Sequence, residues 1–220
     1  MVHVLLIAHI VILGYWLGSE FVINSGFRYV THRQSLDPAE RTRLMDHVMV
    51  VDQHVRYALI LQLSTGVALA GLLGYLPGGA RWATGALIVG TAWLALVEWT
   101  HRARGSKPGE RLARLDRGLR YVVLATLLVA GLTSLLGITP LPGWLAWKLV
   151  CFAGVMACGV GIRLVLLRMP ALWATLLAQG STPELERRFR SCYWSATRVL
   201  LLLWLFIGLI VWLSVWKPIA

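Results

Sequence analysis

Apolar residues in this chain fall into long runs that charged residues rarely enter. Six runs, at residues 4–24, 57–76, 82–100, 121–138, 144–167 and 196–215, are each long enough to cross a bilayer as a helix. The polar stretches between them alternate in character. Between the first and second runs lie Arg28, Arg33, Arg41, Arg43 and Arg56. Between the third and fourth lie Arg102, Arg104, Lys107, Arg111, Arg114, Arg117 and Arg120. Between the fifth and sixth lie Arg168, Arg187, Arg188, Arg190 and Arg198. The other two connections are short, with Arg81 and Lys148 as their main charges. The basic connections all fall on one side of a six-span layout, and the positive-inside rule makes that side cytoplasmic. Both termini are then expected outside. The first run has no basic segment before it and no small-residue cleavage site, so it is expected to stay as a permanent helix.

Aromatic positions follow the same layout. Trp82, Trp144, Trp147, Trp212 and Trp216 mark one interface and Trp99, Trp173 and Trp194 the other, as in an aromatic belt. Trp16, Trp93 and Trp204 lie deeper, where they serve either as packing or as walls for a flat cofactor.

Composition agrees. The 220 residues are 58% hydrophobic and only 14% charged, against about 25% charged in a soluble domain. The mean hydropathy is +0.69. The expected fold is therefore all-α: a polytopic membrane helix bundle forming a single integral membrane domain over residues 1–220. The net charge of +11 reads as cytoplasmic loops facing anionic lipid rather than as a nucleic-acid surface. Three cysteines are too few for a disulfide framework, and Cys151 and Cys158 sit two helical turns apart in an apolar run, where helix packing accounts for them.

The second and fourth runs share a pattern. Asp52 to Tyr57 and Asp116 to Tyr121 both read Asp-x-x-x-Arg-Tyr, and the runs they open both lead to Leu-Pro-Gly, at Leu76-Pro77-Gly78 and Leu141-Pro142-Gly143. Spans two and three therefore look like a duplicate of spans four and five. Asp and Arg four apart share a helix face. The motif reads as an interfacial anchor, or as a grip through Arg56 and Arg120 on propionates or anionic headgroups. Asp37-Pro38 and Thr182-Pro183-Glu184 are helix-start signals inside the basic connections, the first leading into a stretch with Met45, Val48, Val51 and Val55 on one side. Small residues at spacing four, Gly66, Ala70 and Gly74 in one run and Ala153, Ala157 and Gly161 in another, predict close helix contacts.

The residue with most chemical content is His9. An ionised side chain at mid-membrane costs roughly 2.5 kcal/mol or more, so a metal, a haem iron, a proton path or a buried polar partner is expected beside it. His9, Leu13, Trp16 and Glu20 lie on one stripe of the first helix, with Glu20 near the inner edge and close in sequence to Arg28. A second group forms at the cytoplasmic side. Glu98 and His101 share a face at the end of span three, His54 precedes span two, and Glu20 ends span one. Imidazole and carboxylate from neighbouring helices make His54, His101, Glu98 and Glu20 a candidate copper or iron site. His54 and His101 alone are candidates for the axial pair of a b-type haem. His9 belongs to the opposite depth and cannot share their iron.

The stretch from His9 through Gly14-Tyr15-Trp16-Leu17-Gly18, Arg28-Tyr29 and Met45-Asp46 to Arg56 resembles the broad group of bacterial membrane proteins that includes the copper-resistance protein CopD and the HemJ-type protoporphyrinogen oxidases. The resemblance covers about the first quarter of the chain. It implies a bacterial inner-membrane location and haem b at His9. Six spans depart from the shorter HemJ-type bundle.

Three functions follow as expectations. One is a haem-b-binding subunit passing electrons, with quinone as a partner in the exchange. A second is a non-catalytic scaffold subunit held among protein partners. A third is copper transport or resistance through His9, Met156, Cys151 and Cys158. No nucleotide loop, zinc-protease motif or Ser/His/Asp arrangement occurs in the chain.

Overall fold

A computed structural model describes residues 1–217 as seven α-helices and no strand. They are α1 (Val2–His32), α2 (Pro38–Leu72), α3 (Ala80–Arg102), α4 (Lys107–Leu135), α5 (Gly143–Leu166), α6 (Met169–Gln179) and α7 (Pro183–Trp216). Six segments are long and apolar enough to cross a membrane: α1, α2, α3, α4, α5 continued through α6, and α7. The expected all-helical architecture is therefore present, with six segments able by length and composition to span a membrane.

The helices overrun the apolar runs that the sequence marked. At 1.5 Å per residue the 35 residues of α2 extend about 50 Å, against about 30 Å of hydrocarbon. Residues 38–56 of the basic connection before the second run are thus part of α2 itself, while Arg28 lies in α1 and Arg33 in the turn between them; the arginine-rich stretches 107–120 and 187–198 belong to α4 and α7 in the same way. The start signals work as read. Asp37 Oδ1 accepts from the Ala39 N–H at 2.8 Å, and Thr182 Oγ1 accepts from the Leu185 N–H at 3.3 Å. The segment after α5 breaks at Leu167–Arg168 and restarts as the short α6, with Pro170 in its first turn.

The two Leu-Pro-Gly turns are preceded by the same helix ending. Gly74 has φ +79° and Gly137 has φ +75°, a left-handed geometry that costs glycine nothing. In α2 the Gly74 N–H donates to Gly71 O and Tyr75 N–H to Ala70 O; in α4 Gly137 N–H donates to Ser134 O and Ile138 N–H to Thr133 O. Both are glycine caps that satisfy the last carbonyls of a helix.

The described chain divides into two compact units, residues 1–23 with 49–121, and residues 24–48 with 122–217. Helices α1, α2 and α4 contribute residues to both. In the first unit α2 and α3 run antiparallel in close contact. A Cβ on Gly90 would lie 2.1 Å from Ser64 Oγ, and one on Gly71 would lie 3.0 Å from Trp82 Cβ. In the second unit α5 and α7 are the main packed pair. Gly154 leaves room for the Phe206 ring and Gly161 for Val199. The small-residue seams are thus partly as expected. Gly66 and Gly161 are contact points, whereas Ala157 is exposed and Gly74 serves the helix cap.

Candidate functional site

His9 lies on α1, about 10 Å along the helix from its first residue at 1.5 Å per residue. Its ring turns toward α2. Nδ1 stands 2.7 Å from Thr65 Oγ1, and Nε2 stands 3.0 Å from Gln62 Nε2. Gly66 completes the contact: a Cβ there would come within 3.3 Å of His9 Cε1. Spacing explains the arrangement, because residues 62, 65 and 66 fall on one face of α2.

Hydrogen-bond roles follow from the neighbours. The Thr65 hydroxyl donates to Leu61 O at 2.7 Å, the usual back-bond of a threonine within a helix. Its oxygen therefore accepts, and on that basis we assign the His9 proton to Nδ1. Nε2 is left as the acceptor for the Gln62 amide N–H. Gln62 Oε1 is buried without a hydrogen-bond partner.

The other deep ionisable group of α1 is Glu20. It is 6% exposed, and Trp16, itself 1% exposed, donates its indole N–H to Glu20 Oε1 at 3.2 Å. Asp52 of α2 lies within electrostatic range of it. The expected neighbour Arg28 is not the partner: the carboxylate turns inward to Trp16 along the helix, while Arg28 is exposed.

The second group, at the facing ends of the apolar stretches of α2 and α3, assembles in part. Tyr57 donates a short hydrogen bond to Glu98 Oε2, and Arg102 Nε donates to Glu98 Oε1 at 2.5 Å. His54 Nδ1 pairs with the Tyr15 hydroxyl at 2.6 Å, and the His54 ring meets the Tyr57 ring edge-on at 6.1 Å. His101 Nδ1 is buried without a hydrogen-bond partner. With α2 and α3 antiparallel and Tyr57 bonded to Glu98, His54 and His101 fall one turn further along, at about the same level. Yet among the described residues no three His, Cys, Asp or Glu side chains gather to hold a metal ion. Glu20, His54, Glu98 and His101 thus do not form one ligand set. Tyrosine and arginine take the carboxylate that a metal would have needed.

Both Asp-x-x-x-Arg motifs close as ion pairs. Arg56 reaches Asp52 at 2.9 Å and Arg120 reaches Asp116 at 3.0 Å. The two differ in depth. Asp116 is buried and also accepts the Trp93 indole N–H at 2.9 Å, and Arg120 keeps one buried terminal nitrogen, Nη2, without a partner. Of the deep tryptophans, Trp16 and Trp93 each hold a carboxylate through the indole nitrogen. Cys151, Met156 and Cys158 are all buried on α5.

Sequence reasoning missed the most buried polar contact in the second unit. Arg41 and Glu186, 0% and 1% exposed, pair at 2.6 Å through Nη1 and 3.3 Å through Nη2. Arg41 Nε donates to Val30 O at 3.0 Å, Ser181 Oγ donates to Glu186 Oε1 at 2.8 Å, and the guanidinium lies 4.9 Å from the Phe189 ring centre. Arg41 read as one more cytoplasmic charge because nothing in a linear pattern links it to a residue 145 positions away.

No family model, curated protein or solved structure matches the chain.

Proposed function

We propose that this chain is a non-catalytic, multi-pass subunit of a larger complex in the bacterial inner membrane. Both termini face outward, and the basic helix starts lie against anionic cytoplasmic lipid. Spans two and three are taken as a duplicate of spans four and five, a reading supported by the paired Asp–Arg bridges and matching glycine caps.

One observation carries the scaffold reading: both ring nitrogens of His9 are already hydrogen-bonded to α2. Glu20, Asp116 and the Arg41–Glu186 pair are likewise tied to neighbouring side chains. Polar groups used this way act as staples between helices.

Haem b and electron transfer make the second reading. Thr65 favours it, because a hydrogen bond that fixes Nδ1–H is the usual support of a metal-bound imidazole. As packed, however, His9 does not fit the group: Gln62 covers Nε2, and Gly66 brings α2 against the ring edge. A quinone, if the electron-transfer reading holds, would meet protonatable groups at Tyr57, Glu98 and His101.

One purification separates the readings. The full chain is isolated from haem-replete cells in mild detergent and its oxidised and reduced absorbance recorded. A colourless protein that brings stoichiometric partner subunits, with His9→Ala still assembling, supports the scaffold. A Soret band lost in His9→Ala overturns it in favour of haem binding. Copper transport would instead appear as metal uptake that depends on Cys151 and Cys158.

A further inference from the structure

The His9 contact holds more than a static staple needs. Its acceptor nitrogen faces a primary amide, a group that donates from one end and accepts from the other. In the arrangement seen, the donating end is used and the accepting end, Gln62 Oε1, is buried with nothing to accept. Gln62 is only 6% exposed, so no solvent relieves that oxygen.

We propose that His9 is a reversible proton-binding site within the membrane, with Gln62 as the partner that turns over when the proton arrives. The neutral ring donates Nδ1–H to Thr65 and accepts the amide N–H at Nε2. A proton added at Nε2 converts that nitrogen to a donor. A half-turn of the Gln62 amide then presents Oε1 at the same place, and Thr65 continues to accept from Nδ1–H. The number of hydrogen bonds to the ring is unchanged. The oxygen that had no partner gains one, and the amide nitrogen takes over the unsatisfied position.

An apolar cavity of about 440 Å³ lies at the same end of the first unit, lined by Met1, Leu5 and Ala8 of α1, Leu72 of α2 and Ala83 of α3; His9 is not among its lining residues. The groups that α2 turns to the His9 ring, Gln62, Thr65 and Gly66, are uncharged. Glu20 lies eleven residues further along α1, about 16 Å at 1.5 Å per residue. Asp52 of α2 and Glu98 of α3 stand at the other ends of their apolar stretches. Arg81 of α3 is a cation at the His9 end, and His3 is a further titratable group on α1.

The test is a pH titration of the full chain, with ¹⁵N-labelled histidine, in lipid nanodiscs, read by ring-nitrogen chemical shifts. His9→Asn assigns the signal. At pH 8 the wild-type ring is expected with its proton on Nδ1, becoming doubly protonated on acidification. Gln62→Leu, which offers no acceptor, shifts the midpoint at least one pH unit lower, a tenfold higher proton concentration. Gln62→Glu shifts it at least one unit higher. Equal midpoints in all three proteins overturn the proposal. So does a neutral ring protonated at Nε2, or a wild-type His9 that stays neutral until the protein unfolds; these last two need no variant to fold.

Discussion

The Arg41–Glu186 pair allows the sharpest test of how this fold is held. Removing one partner from a buried ion pair costs about 3–5 kcal/mol, because the remaining charge stays in a medium that cannot solvate it. Glu186→Ala leaves the Arg41 guanidinium with the Val30 carbonyl and the Phe189 ring. Arg41→Ala leaves the Glu186 carboxylate with the Ser181 hydroxyl. With exposures of 0% and 1%, solvent screening discounts neither loss. Each single variant is therefore expected to lose about 3–5 kcal/mol of stability. Replacing both, as Arg41→Met with Glu186→Leu, removes the attraction together with both desolvation penalties. Such exchanges range from about neutral to about 4 kcal/mol stabilising. The signature is thus gross non-additivity: the double variant is more stable than either single one. Reversible unfolding in mixed micelles, followed by tryptophan fluorescence, measures all four corners of the cycle. Single variants that each lose under about 1 kcal/mol, the range of an exposed pair, would refute the reasoning. So would losses that simply add.

Other expectations are simpler. Gly90→Ala drives a methyl into Ser64 Oγ, at 2.1 Å, and costs about 1–3 kcal/mol in the same unfolding assay; Ser64→Gly in the same chain recovers most of it. Trp93→Phe strips a hydrogen bond from buried Asp116 and costs about 1–3 kcal/mol, whereas Trp99→Phe, 66% exposed, leaves the unfolding curve unmoved. Thr182→Ala removes the N-cap of α7 and costs about 1 kcal/mol. For orientation, Arg104→Cys is expected to react with a membrane-impermeant thiol reagent only in inverted vesicles and Thr139→Cys only in intact cells, because residues 104 and 139 sit at exposed turns on opposite sides of the proposed layout. The reverse pattern would invert the topology.

Span number and helix type were legible because long apolar runs have few other solutions in a membrane. Helix length was less so. Residues 38–56 and 107–120 read as connections because they are charged, but charge does not end a helix that has left the bilayer, and the start signals at Asp37-Pro38 and Thr182-Pro183 marked the true beginnings. The His9 stripe was legible as the inward face of α1, since its two deep ionisable groups do point at protein. Its partners were not. Gln62 and Thr65 look like two ordinary polar residues in an apolar run, and only the packing of α1 on α2 shows which ring they meet. The metal set failed for a similar reason. Equal membrane depth put Glu20, His54, Glu98 and His101 together in projection, but depth says nothing about azimuth around each helix. Tyr57 and Arg102, which take Glu98, carried no signal of their own.

Setting α2 beside α4 at the proposed duplication separates framework from specialisation. The positions common to both are the Asp–Arg bridge at one end and the glycine cap at the other, each made within its own helix. The positions that differ are the ones the first unit uses. Gln62 and Thr65, which hold His9, stand where α4 has Thr126 and Val129. His54, bonded to Tyr15, stands where α4 has Gly118. If these residues served only to fill space between helices, either copy could carry them. They occur in α2, and there they meet the His9 imidazole of α1. That coincidence points the search for function at the first unit, and it is why a change at Gln62 is expected to alter the protonation of His9 before it alters the packing of the bundle.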